Sequence, residues 1–387
     1  MRALEKPIRL RYQILVFVAA RTLVNTGYRM VYPFLPVLAR GVGASVEGVT
    51  LAITARSMLG FFGPLFGSLA DSRGRRFALL IGLGVAGGGA LLVFLWPTYP
   101  ALFLAVLLLG GGKIVYDAAL HAYVGDNVDY GRRGLAIGLT EMSWSAAFLL
   151  GIPLAGWLIE RAGWSAPFPW LAALLLAAAV ALWRILPGDG HARRGGPSFA
   201  QGLRAVLAHR PALAGLAVSM LISGGNEVVN IVFGVWLEDS FGLHVAALGA
   251  AAMTIGIAEL GGEGLEVFLA DRLGKRRAAA LGIAASILAA LALPALGTSL
   301  EGALLGLFLF FITFEFTIVT TIALMTELAP AARATLMAGN IAFLSLGRAG
   351  GALLGPALFA LGLPASSAAA ALIYGLSLAV LLGFVRE

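Results

Sequence analysis

The chain has no cysteine. Disulfides, thiol catalysis and cysteine-ligated metals are therefore excluded. Histidine is almost as scarce: four residues, at positions 121, 191, 209 and 244, too scattered to suggest a metal cluster. Charge is also scarce, with 12% of the 387 residues being Asp, Glu, Lys or Arg, against about a quarter in soluble domains. So few charges cannot solvate a chain of this size, and lipid is the natural solvent for most of it. The short alternating segments of a membrane β-barrel are missing as well.

What is present is hydrophobic sequence, 60% of all residues, in long runs rich in Ala, Leu and Gly. A helix crosses hydrocarbon with about 20 apolar residues. Runs of that length predict spans at 12–36, 46–70, 77–96, 101–124, 134–159 and 166–186, then 210–237, 245–270, 278–297, 301–326, 334–361 and 365–385. The expected fold is an all-α integral membrane protein with twelve transmembrane helices. The net charge of +7 reflects topology. The N-terminal tail, the even-numbered connections and the C-terminus hold 20 of the Lys and Arg residues, whereas the odd-numbered connections hold two, Arg40 and Arg161. By the positive-inside rule both termini face the cytoplasm. A multi-pass protein of the inner membrane is expected, with no nucleic-acid partner.

Residues 67–76 read GSLADSRGRR and residues 267–276 read VFLADRLGKR, at an offset of 200. The same offset aligns Arg133 with Arg333 and Gly151 with Gly351. The repeat joins spans 1–6 to spans 7–12 in one orientation, as two bundles related by an axis along the membrane normal. Residues 1–186 are expected to form the first bundle, 187–209 a cytoplasmic linker rich in Gly and charge, and 210–387 the second bundle.

These residues resemble the major facilitator superfamily. The stretch 67–76, with Gly67, Asp71, Gly74, Arg75 and Arg76, looks like that family's signature between helices 2 and 3. Its second copy carries Asp271, Gly274, Lys275 and Arg276, with Val267 where Gly is expected. The resemblance implies a gate at the cytoplasmic side. Asp71 would face the start of helix 11, and Arg75 would pair with Asp126 at the end of helix 4. A weaker resemblance, to the Gly- and Pro-rich helix 5 of the family's antiporters, lies in Gly151, Pro153 and Gly156. Close packing explains the same residues as well. Gly82, Gly84 and Gly87 match a dinucleotide fingerprint but lie inside a transmembrane run with no strand before them.

Twelve ionisable residues fall within the predicted spans: Arg21, Arg29, Arg56, Lys113 and Arg348, with Asp117, Glu141, Glu227, Glu259, Glu263, Glu266 and Glu315. Each costs roughly 2.5–3.5 kcal/mol at a helix centre, so they must be paired or must face water. Their spacing is helical. Arg21, Asn25, Tyr28 and Tyr32 share a face, as do Lys113, Asp117 and His121, and Glu259, Glu263 and Glu266, while Asn226, Glu227 and Asn230 continue a stripe begun by Ser219 and Ser223. Spans 3, 6, 9 and 12, the outer helices of the resembled family, carry none of these ions. A polar path between the bundles follows. Candidate proton sites are Glu227, Glu315, Glu141, Glu259 and Glu263, and the pair Asp117 and His121, one turn apart. Candidate solute contacts are the basic and amide groups above with the aromatics Tyr28, Tyr32, Tyr116, Trp144 and Trp236.

The function expected is secondary transport of a small amphipathic solute by alternating access, most simply proton-coupled efflux. Proton symport, facilitated uptake and a non-transporting receptor are the alternatives. No cofactor is expected beyond a proton gradient, and the chain is expected to act as a monomer.

Overall fold

The computed structural model describes residues 2–63, 73–188, 204, 206–329 and 332–385. All regular structure among them is helical. Among the described residues ten helices are long and apolar enough to cross a membrane, and a bent pair supplies a further candidate. The N-terminal helix α1 (Arg2–Arg29) falls outside that set because Arg21, Asn25 and Arg29 dilute its apolar run. Counting it, the arrangement is consistent with twelve spans.

The predicted first span is broken. After α1 the chain turns through residues 30–34 and resumes as α2 (Leu35–Gly41). Pro33 accounts for the break: it has no N–H to donate and it biases Tyr32 away from helical geometry. The seventh span breaks at the matching place, between α10 (Arg210–Asn230) and α11 (Phe233–Phe241). The two breaks touch. A Cβ on Gly234 would lie 2.5 Å from the Pro33 carbonyl oxygen and 2.7 Å from that of Tyr32, so only glycine admits this approach.

The second span is α3 (Val46–Leu59) with a 3-10 turn at Gly60–Phe62. The third and fourth are α4 (Arg75–Leu95) and α5 (Tyr99–Asn127). The fifth is assembled from α6 (Tyr130–Glu141), α7 (Ser143–Ala146), a π turn (Ala147–Gly151) and α8 (Ile152–Ala162). The sixth is α9 (Pro167–Ile185), and the second half continues with α12 (Val245–Leu273), α13 (Lys275–Leu296), α14 (Leu300–Leu328), α15 (Arg333–Phe359) and α16 (Leu363–Phe384).

Gly74 and Gly274 precede α4 and α13 with φ of +105° and +80°. The repeated motif therefore needs glycine for its left-handed backbone as much as for space. Of the other motif glycines, Gly82, Gly87 and Gly151 pack helices together, while Gly84 faces open space. The Cβ positions of Gly82 and Gly112 each fall within 3 Å of the other's carbonyl oxygen, so the first glycine of the false dinucleotide fingerprint serves a contact of α4 with α5. Gly151 presses on Thr26 of α1, and its repeat partner Gly351 presses on Gly224 and Glu227 of α10. The Gly- and Pro-rich segment thus has the same packing role in both halves.

The halves meet along two seams, α3 against α15, and α12 against α7, the π turn and α8. At the end away from the basic loops the seam is shut. There Arg40 forms two bonds with Glu238, at 2.6 and 3.1 Å, and His244 lies 3.2 Å from Glu160. Toward the basic end, Glu141 and His121 keep 40% and 45% of their side chains open to solvent.

Candidate functional site

The charged residues of the first half form a ladder across three helices. Arg21 on α1 donates from Nε to Asp117 on α5 at 2.8 Å, and its Nη1 lies 2.8 Å from Glu141 on α6. The same Nη1 donates to the Thr140 carbonyl oxygen at 2.9 Å. Lys113 Nζ reaches Asp117 at 2.5 Å, one turn along α5. His121 Nε2 lies 2.9 Å from Glu141 rather than against Asp117. The one-turn spacing of Asp117 and His121 therefore does not make a shared site, because Asp117 turns toward two cations and His121 toward a different helix.

At the centre, one ion pair crosses between the halves. Arg29 on α1 bonds both oxygens of Glu259 on α12, at 2.5 and 2.8 Å, and donates to the Trp144 carbonyl oxygen at 3.0 Å. Its guanidinium stacks 4.0 Å from the Trp144 ring and 3.7 Å from Phe148. Both partners are almost wholly buried, at 4% and 2% exposure. Lys113 and Arg348 also approach Trp144, at 5.2 and 5.9 Å. One indole therefore sits among cations from three helices.

The remaining ions have no partner of opposite charge within ion-pair distance among the described residues, apart from Glu266, which has a contact of its own. Arg56 on α3 is buried; it donates to the Tyr28 carbonyl oxygen at 2.5 Å and to the Tyr32 hydroxyl at 3.0 Å. Its stem fits because position 110 is glycine, where a Cβ would lie 2.3 Å from Arg56 Cγ. Arg348 lies within electrostatic reach of Tyr28, Tyr32 and Glu227. Glu227 accepts from Asn230 at 3.1 Å while its other oxygen has no partner. Glu315 on α14 neighbours Glu259 and Glu263 on α12, since Gly262 lets the helices meet at the Glu315 Cβ.

A family model described as Major Facilitator Superfamily matches residues 17–339. The chain belongs to that superfamily. YbcL of Bacillus subtilis, an MFS-type transporter, is 25% identical over 68% of this chain and 67% of its own length. YdhP, an inner membrane transport protein of Escherichia coli, is 29% identical over 49% of this chain and 48% of its own. The class G tetracycline resistance protein of Vibrio anguillarum is 27% identical over 67% and 68%. Among solved structures, a bacterial homologue of the lysosomal transporter Spinster, inward-facing and unoccupied, superposes with a TM-score of 0.80 at 16% identity over 96% of both chains. A D-xylose–proton symporter also gives 0.80, at 16% identity over 98% of both. Family and fold are those of a membrane transporter rather than an enzyme.

For this major facilitator protein, the repeated motif at 67–76 and 267–276 is described only in part. Gly67 and Asp71 lie outside the described residues, as does the side chain of Asp271. Arg75 Nε bonds Asp126 at 3.1 Å. The second half repeats the pair with Lys275 and Glu327. Arg76 bonds the Trp183 carbonyl at the end of α9, and Arg276 bonds the Leu382 and Val385 carbonyls at the end of α16. Each basic residue thus satisfies carbonyls that a helix terminus leaves open. Glu327 was legible in principle, one position from the repeat equivalent of Asp126.

Some expected contacts lie elsewhere. Tyr116 does not line the seam; it is fully buried against Gly82 and donates to the Phe17 carbonyl oxygen at 3.3 Å. Trp236 packs on Phe241 and Gly297 in the second half. Asn25 bonds Ser143 at 3.2 Å, joining α1 to α7, and Asn226 is buried in α10. Phe148 and the Arg40–Glu238 pair carried no separate signal in the sequence, since a lone aromatic or a loop charge looks ordinary there.

Proposed function

We propose that this transporter exports a small amphipathic solute in exchange for protons, with the basic end in the cytoplasm and the gradient as the energy source. The observation that carries the reading is the Arg29–Glu259 pair, the buried ion pair that joins the halves at the centre of the seam. In alternating access the halves must part at the far end, which separates Arg29 from Glu259. Breaking a buried pair costs about 3–5 kcal/mol when one charge is left alone. A proton on Glu259, or on the neighbouring Glu263 or Glu315, offsets that cost by removing charge from the low-dielectric seam. The likeness to a tetracycline resistance protein supports efflux. The likeness to a proton symporter supports the coupling ion and favours, as the second reading, entry of solute together with protons.

The test uses proteoliposomes loaded with a pH-sensitive dye and a library of amphipathic solutes added outside. Exchange moves solute in and protons out, so the lumen turns alkaline. An acid shift on solute addition identifies symport and overturns the exporter. No proton movement, with no solute counterflow, identifies a receptor.

A further inference from the structure

Unpaired ions of opposite sign face the seam from different walls. On the α3–α15 side stand Arg56 and Arg348, neither with a carboxylate within ion-pair distance among the described residues. Arg56 is 2% exposed, lies 3.6 Å over the Tyr28 ring, and its Nε has no partner. Glu227 lies within electrostatic reach of both arginines and offsets one of these two charges, which leaves one positive charge. On the α12–α14 side stand Glu263 and Glu315, neither with a cation within ion-pair distance among the described residues, and Glu315 is only 7% exposed. Trp144 adjoins the basic side, its ring 6.2 Å from Tyr28 and 5.9 Å from the Arg348 guanidinium, and it also stacks 4.0 Å from Arg29, which pairs with Glu259 of α12.

An ion in a low-dielectric site needs a counter-charge or a proton. A solute with a single charge would compensate one wall and leave the other exposed. A solute with both charges compensates the two at once. Building on the transport reading, we propose that the solute is bipolar. Its anionic group binds Arg348, and its ammonium group binds Glu315 and Glu263. Its apolar body lies on Trp144, a ring that already holds cations against its face. Arg56 does not touch the solute. It is a positioning residue that fixes Tyr28 and Tyr32 around Arg348 and adds positive potential there. Exchange then has a simple form, in which ammonium and protons compete for the same two carboxylates.

The experiment measures binding to the purified full chain by isothermal titration, with three linear probes of one length: ω-aminooctanoate, α,ω-diaminooctane and octanedioate. The aminocarboxylate is expected to bind more tightly than either other probe by on the order of tenfold. Arg348→Gln should erase its advantage over the diamine, and Glu315→Gln its advantage over the dicarboxylate. Arg56→Gln should weaken binding of the dicarboxylate and the aminocarboxylate less than Arg348→Gln does, and should restore on Arg56→Lys. Equal or tighter binding of the diamine or the dicarboxylate by the unmodified chain overturns the proposal, as does the absence of saturable binding by all three. That ranking needs no variant, so a misfolded mutant cannot rescue the idea. A bipolar preference without proton exchange would sink only the exporter. Proton exchange driven by a singly charged solute would sink only the bipolar site.

Discussion

Arg29 and Glu259 share two hydrogen bonds in a place where neither could be left alone. Arg29→Gln and Glu259→Gln should each lower stability by about 3–5 kcal/mol, because each strands a buried ion. The double variant should lose less than the sum, since no charge is then left unpaired. Thermal unfolding of the four proteins in one detergent checks this, and additive losses would mean that the pair contributes nothing as a pair. A second residue-scale prediction concerns the repeated motif. Gly74→Ala and Gly274→Ala force a side chain into φ of +105° and +80°, and each should cost about 1–2 kcal/mol. Gly84→Ala is the control, in mid-helix with open space at its Cβ position, where alanine should add up to about 1 kcal/mol.

Helix elements here are placed by small residues. Without a hydrophobic drive between helices in lipid, close approach and van der Waals contact decide which pair. Gly112→Val would push a branched side chain into the Gly82 carbonyl and Ala86. It should separate α4 from α5 and lower the yield of folded, monodisperse protein, whereas Gly88→Val, with nothing near its Cβ position, should be tolerated. Monodispersity by size exclusion reads both, and an equal effect would show that the α4–α5 contact is dispensable. The broken spans are the other feature of this scale. Sequence placed continuous helices at 12–36 and 210–237, although Pro33 and Pro36 both lie within the first. Nothing local marks the second, where residues 228–232 are largely β-branched yet compatible with helix in lipid. Its position follows from docking against the first break at Gly234.

At the scale of the whole molecule, the far end of the seam is held by Arg40 with Glu238 and by His244 with Glu160. The chain lacks cysteine, so paired substitutions can be read without background. Arg40→Cys with Glu238→Cys, joined by a short bifunctional thiol reagent, should hold that end shut and stop flux in proteoliposomes. Each single variant treated with the same reagent should retain flux. Continued flux in the joined protein would mean that the halves do not part at this end, and alternating access about this seam would fall with it.

The sequence by itself determined the solvent, the apolar runs that become the spans and the two-bundle repeat, because hydropathy and helical spacing are local quantities, whereas the contact of Arg75 with Asp126 was expected only from the resemblance to a family. It also picked out the ionisable residues of the interior, because a charge in an apolar run stands out wherever it later points. It did not determine partners. Arg29 finds Glu259 across 230 positions of chain, Asp117 turns to Arg21 and not to His121, and Tyr116 turns into the first bundle and not into the seam. Pairing in a low-dielectric interior depends on distances of a few ångströms between helices remote in sequence, and only the packing of the two bundles sets those distances.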